Sequence, residues 1–313
     1  MKADPVYREH YYPSSDGLSL YYRSYGDADR VLICIPGLTR NSKDFEDLAT
    51  RHAANWRVIT PDLRGRGQSE RDPVPSRYQH LTYAADIWKL ADDLEISKFA
   101  IIGTSLGGAI AMIMASQQPD RLLGVVLNDV GPVIPDAAVR RLMKYVGRIP
   151  PLPDWEAATA AVRSVYELAF PDRPDSFWLA HARLSMCESS DGFIIPDVDP
   201  AIGRGLRKGY QAVKRVQFLR RFGLMKSTAA QIDNGYWKQF KEMTMPSLLL
   251  RGATSDVLTE EIVEAMKVVH PAMEAITVAD RGHAPFLDEP EAAAAIDSFL
   301  QRLADDSPTE KTK

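Results

Sequence analysis

Residues 99–108 read Phe99-Ala100-Ile101-Ile102-Gly103-Thr104-Ser105-Leu106-Gly107-Gly108. Four apolar residues, typical of a buried strand, lead directly into a Gly-x-Ser-x-Gly motif, and an apolar helical stretch follows it. The two glycines leave room for the strand and the helix to approach each other. The pattern predicts a strained turn that presents the Ser105 hydroxyl at the carboxyl end of the strand, as a catalytic nucleophile requires.

The same alternation of short apolar runs and amphipathic segments extends over most of the chain. It predicts an opening hairpin over residues 7–25 and further strands at 31–35, 57–60, 122–128, 247–251 and 275–279. Helical patterns lie between them at 44–53, 82–95, 106–118, 260–269 and 289–303. Strands that alternate with helices imply an α/β fold with a mostly parallel sheet and right-handed crossovers.

One long segment breaks this alternation. Residues 131–241 are rich in aromatic residues and proline, and their patterns are helical. They predict a helical cap inserted between core segments 1–130 and 242–304, with a flexible polar tail at 305–313. Four aromatic side chains of the cap are candidates to line a substrate pocket, with ordinary packing inside the cap as the alternative: Trp155, Trp178, Phe193 and Trp237.

Composition limits the classes of function. The 313 residues are 45% hydrophobic and 26% charged, with a net charge of −4, which gives no reason to expect a nucleic-acid partner. Cys34 and Cys187 are too few for a disulfide framework or a zinc site. The polar N-terminus does not resemble a secretory signal, and no window approaches the ~18 apolar residues of a membrane span. We therefore expect a cytoplasmic location, and the sequence indicates no particular oligomeric state.

A serine nucleophile needs an adjacent base and a carboxylate to orient that base. Among six histidines, His283 is the best candidate, because it follows the last predicted strand and Gly282 lets its loop turn sharply. His80 and His181 could also border a cleft. Asp256, in the loop after strand 247–251, is the favoured carboxylate, and Asp129, directly after strand 122–128, is its rival.

Two backbone N–H groups are predicted to stabilise the oxyanion. Leu106 N–H lies at the start of the helix after Ser105, where the dipole is positive. Leu38 N–H lies in the loop Ile35-Pro36-Gly37-Leu38-Thr39, after a buried strand. An ordinary tight turn is the alternative interpretation of that loop. A nucleotide site is excluded, since neither Gly-x-Gly-x-x-Gly nor Gly-Lys-Ser/Thr occurs.

The order of these motifs, together with residues 62–69 (Asp-Leu-Arg-Gly-Arg-Gly-Gln-Ser), resembles the α/β-hydrolase fold superfamily. The resemblance covers almost the whole chain outside the cap. It implies a twisted sheet of about eight strands flanked by helices, with a helical cap over the site. It also implies a structural Asp–Arg network at 62–69, although Arg64 and Arg66 could instead bind an anion. Pro36-Gly37 departs from the His-Gly of many relatives, which leaves open how the loop is braced.

These features predict a serine carboxylic-ester hydrolase that acts on a small to medium apolar substrate through an acyl-enzyme, with no metal or organic cofactor. A serine nucleophile disfavours the relatives that open epoxides or displace halide, since those need a carboxylate. A carbon–carbon bond hydrolase of ring-fission products and a lactonase, both with the same triad, stay open as alternatives. A non-catalytic ligand-binding member is a third hypothesis, which the intact triad disfavours.

Overall fold

The computed structural model describes residues 6–221 and 236–306. Its strands are β1 (Arg8–Pro13), β2 (Ser19–Tyr25), β3 (Val31–Ile35), β4 (Arg57–Pro61), β5 (Phe99–Thr104), β6 (Leu122–Asn128), β7 (Met186–Glu188), β8 (Ile194–Pro196), β9 (Ser247–Gly252) and β10 (Glu274–Val278). Its α-helices are α1 (Glu46–His52), α2 (His80–Asp93), α3 (Leu106–Gln117), α4 (Asp136–Tyr145), α5 (Trp155–Tyr166), α6 (Asp175–Ser185), α7 (Pro200–Arg221), α8 (Trp237–Lys241), α9 (Glu260–Val269) and α10 (Pro290–Asp306).

Eight strands form one sheet in the order β1-β2-β4-β3-β5-β6-β9-β10. β1, β2 and β4 pair antiparallel, and all pairs from β4 to β10 are parallel. The predicted mostly parallel sheet of about eight strands is confirmed. The carboxyl ends of β5, β6 and β9 lie side by side, so the loops that follow these strands meet at one edge of the sheet.

The sheet is covered on both faces, as the apolar character of its central strands requires. Helices α2, α3 and α9 contribute to one apolar cluster, and α1 and α10 contribute to a second cluster against the opposite face. α3 is buried along nearly its whole length, because its apolar residues face all round the helix. This rigid packing fixes the start of α3, and therefore the turn between β5 and α3.

The segment between β6 and β9 contains α4 to α8 and the two-stranded hairpin β7–β8, which stays separate from the main sheet. It has its own apolar cluster, built from α5, α6 and the hairpin. The predicted cap lies in this segment, and its proposed boundaries at 131 and 241 stay a prediction. Part of the predicted cap (222–235) and most of the predicted flexible tail (307–313) lie outside the described residues.

Within the described ranges, no helix combines the length and the apolar character that crossing a bilayer requires.

Candidate active site

Ser105 lies in a sharp turn between β5 and α3. Its backbone has φ 52° and ψ −110°, a left-handed conformation that a serine rarely adopts. Glycines permit this turn: a Cβ at Gly107 would lie 2.0 Å from Ile35 O, and one at Gly103 would lie 2.5 Å from the Gly107 backbone. The predicted strain at Ser105 is confirmed, and its N–H is held by the Asn128 carbonyl oxygen at 2.9 Å.

His283 follows β10 and contacts Ser105 directly. Ser105 Oγ lies 2.8 Å from His283 Nε2. The loop that carries His283 is tied to its surroundings, because Gly282 N–H donates to Ala169 O at 2.8 Å and Asn128 Nδ2 donates to Pro285 O at 2.8 Å. The geometry lets Ser105 Oγ–H donate to Nε2, which is the arrangement that proton transfer from the serine requires.

Asp129 is the carboxylate that contacts His283. Its Oδ2 lies 2.7 Å from His283 Nδ1 and accepts a hydrogen bond from Ser255 Oγ at 2.6 Å, while Oδ1 accepts one from Gly252 N–H at 2.8 Å. Asp129 is fully buried and has φ 55°, which turns its side chain toward β9 just after β6 ends. Since a carboxylate only accepts hydrogen bonds, His283 carries its proton on Nδ1 and leaves Nε2 free to accept from Ser105.

The prediction that Asp256 is the carboxylate partner of His283 is wrong, because Asp129 occupies that place. Its two oxygens instead accept hydrogen bonds from Arg141 Nε at 2.6 Å and Nη2 at 2.7 Å, and its side chain is 42% exposed. The loop after β9 turns back through a Ser255 N–H to Gly252 O bond, so Ser255 occupies the inward position. Burial acts to raise the pKa of Asp256, but the hydrogen bonds and the charge of Arg141, together with His283 and a backbone hydrogen bond, hold that pKa below its ordinary value.

The loop proposed to supply an oxyanion donor is braced from below. Arg66 Nε donates to Leu38 O at 2.7 Å, and Arg40 N–H donates to Gly37 O at 3.2 Å. Leu38 lines the cavity above Ser105, and Leu106 is the first residue of α3. These two hydrogen bonds answer the question of how the loop that contains Pro36-Gly37 is braced. The donor roles of the Leu38 and Leu106 N–H groups stay a prediction.

The two arginines of residues 62–69 belong to a buried network of ion pairs and hydrogen bonds and do not form an anion-binding site. Arg64 pairs with Asp16, Asp72 and Asp86 at 2.6–2.9 Å. Arg66 donates to the Arg64 carbonyl oxygen and lies over the Tyr83 ring. The structural interpretation of this loop is therefore confirmed, because these contacts already engage both guanidinium groups.

A cavity of about 190 Å³ opens above Ser105 and His283. This volume is small beside the ~300–1,000 Å³ of sites for drug-sized ligands. The predominantly apolar walls come from the insertion and from the loop after His283, and they include Leu142, Tyr145, Val146, Tyr166, Phe170, Phe177, Leu184 and Phe286.

None of the four predicted cap aromatics lines this cavity. Trp178 is buried inside the cap cluster, and Trp155 packs against the same cluster with Arg183 over its ring. Phe193 is 45% exposed, and Trp237 packs on the main core beside Phe240. Those predictions are wrong, and core packing, the alternative, describes Trp155, Trp178 and Trp237.

The sequence missed most of the residues that do line the cavity. Phe286 could have been found from its place three residues after His283, and Arg40 from its place after the Pro36–Thr39 loop. His181, left open as a cleft residue, lines the cavity, whereas His80 lies away from it, packed against Tyr236. Burial lowers the pKa of His80 to about 4.

Across residues 6–221 and 236–306, no group of three His, Cys, Asp or Glu side chains is arranged to hold a metal ion.

Comparison with known proteins agrees with this fold. The family model described as the alpha/beta hydrolase fold matches residues 30–290. A curated relative, the 3-hydroxybutyrate-oligomer hydrolase of Cupriavidus necator, is 31% identical over 286 residues, which are 89% of this chain and 92% of that protein.

Solved structures show the same fold over nearly the whole chain. An alpha/beta hydrolase from Novosphingobium aromaticivorans is 38% identical with a TM-score of 0.83, covering 96% of this chain and 100% of that one. E-2-(acetamidomethylene)succinate hydrolase has a TM-score of 0.76 at 23% identity, covering 94% and 99% of the two chains, which supports the fold alone. The family match spans far more than half of the sequence, and the resemblance seen in the sequence is confirmed: the chain belongs to the α/β-hydrolase fold family.

Proposed function

We propose that this protein hydrolyses carboxylic esters of small to medium apolar substrates through an acyl-enzyme on Ser105. The family and the curated relative support a hydrolase, and the ester bond as its target is our inference. The observation that carries it is the chain of contacts from Ser105 Oγ to His283 Nε2 (2.8 Å) and from Nδ1 to Asp129 Oδ2 (2.7 Å). These contacts lie at the base of a mostly apolar cavity.

The reaction begins with attack of Ser105 Oγ on the ester carbonyl carbon while His283 Nε2 takes the hydroxyl proton. Asp129 accepts from Nδ1–H, fixes the tautomer of the imidazole and stabilises the imidazolium that forms. The N–H groups of Leu38 and Leu106 donate to the oxyanion of the tetrahedral intermediate. Each such donor contributes roughly 3–4 kcal/mol to the transition state in other serine hydrolases.

Collapse of this intermediate breaks the bond to the alcohol, and protonated His283 gives its proton to the departing oxygen. Water then attacks the acyl carbon on Ser105, with His283 Nε2 again taking a proton. A second collapse restores the Ser105 hydroxyl and releases the acid. Apart from the substrate and water, each step uses only groups that the chain supplies.

The relative from Cupriavidus necator favours an ester over other bonds. Its name gives a 3-hydroxybutyrate oligomer as what it hydrolyses. The hydroxyl and carboxyl groups of a hydroxy acid join to one another as an ester. An ester of a short hydroxy acid is therefore our first choice of substrate, ahead of a lactone or a ring-fission product.

The test is hydrolysis of p-nitrophenyl esters with acyl chains of two to twelve carbons by the wild type and by Ser105→Ala. We expect the wild type to prefer the shorter chains because of the small cavity, and the variant to lose at least ~10³-fold in kcat. Labelling with a fluorophosphonate probe should modify Ser105 in the wild type only. Equal rates for the two proteins, or no labelling of the native chain, would refute the proposal and favour a ligand-binding role.

A lactone and a ring-fission dienoate belong in the same panel. A larger kcat/KM for either than for every ester would replace the substrate class while leaving the Ser105 chemistry in place.

A further inference from the structure

The apolar cavity contains a polar cluster that the proposed reaction does not use. Arg40, Asp44 and His181 all line the cavity that holds Ser105 and His283. Arg40 and Ser105 lie on either side of Gly37. A Cβ atom built on Gly37 would lie 3.5 Å from Arg40 Cγ and 3.9 Å from Ser105 Cβ, so the arginine side chain begins close to the nucleophile. Buried polar groups in an apolar pocket fix the orientation and the identity of a ligand.

Within residues 6–221 and 236–306, the His181 ring has an N–H donor with no protein acceptor. The residue is 3% exposed, and its ring is held between Phe177, stacked at 5.5 Å, and Phe286, edge-on at 4.9 Å. Burial, reinforced by the charges of Arg40 and Arg173, lowers its pKa well below the ordinary value, so the imidazole is neutral.

A neutral imidazole has one acceptor nitrogen and one N–H. Arg40 Nη1 lies 3.1 Å from His181 Nε2, and Nη2 lies 3.5 Å from Nδ1. Since arginine only donates, the nearer nitrogen, Nε2, accepts and Nδ1 carries the hydrogen. No group in the described part of the chain places an acceptor within hydrogen-bond distance of that Nδ1–H.

Arg40 has N–H groups that these contacts leave unused, but its positive charge is already balanced by Asp44. Its Nε and Nη2 donate to the two oxygens of Asp44, with 2.7 Å for the Nε bond, and Nη1 donates to His181. These bonds use three of its five N–H groups. Within the described residues, the cluster therefore has more N–H groups than acceptors, while its net charge is zero.

The missing acceptor is better supplied by a neutral oxygen than by a carboxylate. Asp44 already balances Arg40, and the buried carboxylate of Asp129 lies behind the same cavity. A further carboxylate would bring an unbalanced negative charge into an apolar space, at a large cost in desolvation. A hydroxyl or ester carbonyl oxygen satisfies the donors without that charge.

We propose that Arg40 and His181 bind a second, neutral oxygen of the substrate, so that the site selects esters whose acyl or alcohol part carries a hydroxyl or another ester carbonyl. This inference rests on the proposed ester hydrolysis at Ser105 and names the specificity residues of that site. A site built to donate to a substrate oxygen discriminates strongly against the analogue without it, because its own donors are then left unpaired.

The test uses two pairs of esters that differ in this oxygen function. p-Nitrophenyl 3-hydroxybutyrate is compared with p-nitrophenyl butyrate, and methyl 3-(butanoyloxy)butanoate with hexan-2-yl butanoate. We expect wild-type kcat/KM to favour the oxygen-bearing member of at least one pair by about 10–100-fold. His181→Phe, which keeps an aromatic ring of similar size, should lower that ratio at least tenfold, and His181→Gln, which keeps an N–H donor, should retain part of it.

His80→Phe is the matched control, because it makes the same substitution at a histidine that lies away from the cavity, and its ratio should equal that of the wild type. An unchanged ratio in His181→Phe, or no preference in the wild type, would overturn the inference while ester turnover kept the proposed function intact. Turnover of no ester at all would refute the proposed function instead. Preference for p-nitrophenyl hemisuccinate over the hydroxybutyrate would overturn the choice of a neutral oxygen.

Discussion

Two neighbouring strands, β6 and β9, each lead to an aspartate at the same edge of the sheet, yet the two carboxylates have opposite surroundings. Asp129 is the first residue after β6, is fully buried and accepts hydrogen bonds from Gly252, Ser255 and His283. Asp256 comes four residues after β9 ends, is half-exposed and is paired with Arg141 of α4. The distance along the chain from the strand end, rather than the residue type, decides which carboxylate reaches the histidine.

The largest expected effect comes from neutralising each aspartate in turn. Asp129→Asn should lower kcat on a short p-nitrophenyl ester by about 10³–10⁴-fold, because an amide neither fixes the His283 tautomer nor stabilises the imidazolium. Asp256→Asn should change kcat by less than about tenfold, since its contacts are with Arg141. Steady-state kinetics of the two variants under identical conditions measures both effects.

A larger loss of activity in Asp256→Asn than in Asp129→Asn would assign the catalytic role to Asp256 instead. Thermal unfolding of both variants is the necessary control, because an amide at Asp129 also disturbs the buried hydrogen bonds of Gly252 and Ser255. A folded Asp129→Asn protein that still binds a substrate analogue would assign the loss to the chemical step.

A second contrast separates the two histidines of the cavity, since His283 contacts a carboxylate whereas His181 accepts from a guanidinium. Burial lowers the pKa of His181 well below the ~6.5 of an unfolded chain, so below that pH the unfolded state binds the extra proton. The free energy of unfolding should therefore fall as the pH falls through about 6.5. His181→Phe should remove up to about 1.4 kcal/mol per pH unit of this slope.

Urea unfolding at pH 7, 6 and 5 tests this expectation. Phe193→Leu changes an exposed aromatic side chain, keeps every histidine and should keep the wild-type slope. His52 and His80, whose pKa values burial also lowers, supply a remaining slope in every variant. An equal slope in His181→Phe and the wild type would mean that His181 takes up its proton in the folded state as readily as in the unfolded one.

The sheet and the position of the nucleophile could be predicted because local chemistry dictates them. Apolar runs such as Val31–Ile35 form strands in any such fold, and the Gly-x-Ser-x-Gly turn leaves little freedom for Ser105. The choice between two aspartates could not be made in this way. It depends on the left-handed backbone of Asp129, whose N–H donates to Leu250 O of β9 at 2.8 Å, and on the turn at Ser255, and neither feature follows from a local sequence pattern.

The residues that line the cavity could not be predicted from the sequence for a related reason. Trp178 and Phe177 are adjacent in α6, and both are large and aromatic. Which of them faces Ser105 depends on how α6 packs on α5 and on the loop after His283. Helical periodicity gives the relative direction of the two side chains, but not which direction is toward the site.

The smallest expected effect concerns the ion pair that holds the second aspartate to α4. Arg141→Met should change the free energy of unfolding by less than about 1 kcal/mol, because both partners are partly exposed and water screens their attraction. The pKa of Asp256, lowered mainly by the hydrogen bonds of Arg141, should rise toward its ordinary value, which carbon-detected NMR of the carboxyl group can follow. Because a lowered carboxyl pKa adds stability that is lost as the pH falls through it, the variant should differ less from the wild type at pH 3 than at pH 7. A loss of several kcal/mol at pH 7 would instead show that this contact anchors the insertion to the core. The ion pair at Asp256 would then contribute as much to stability as the buried hydrogen bonds of Asp129.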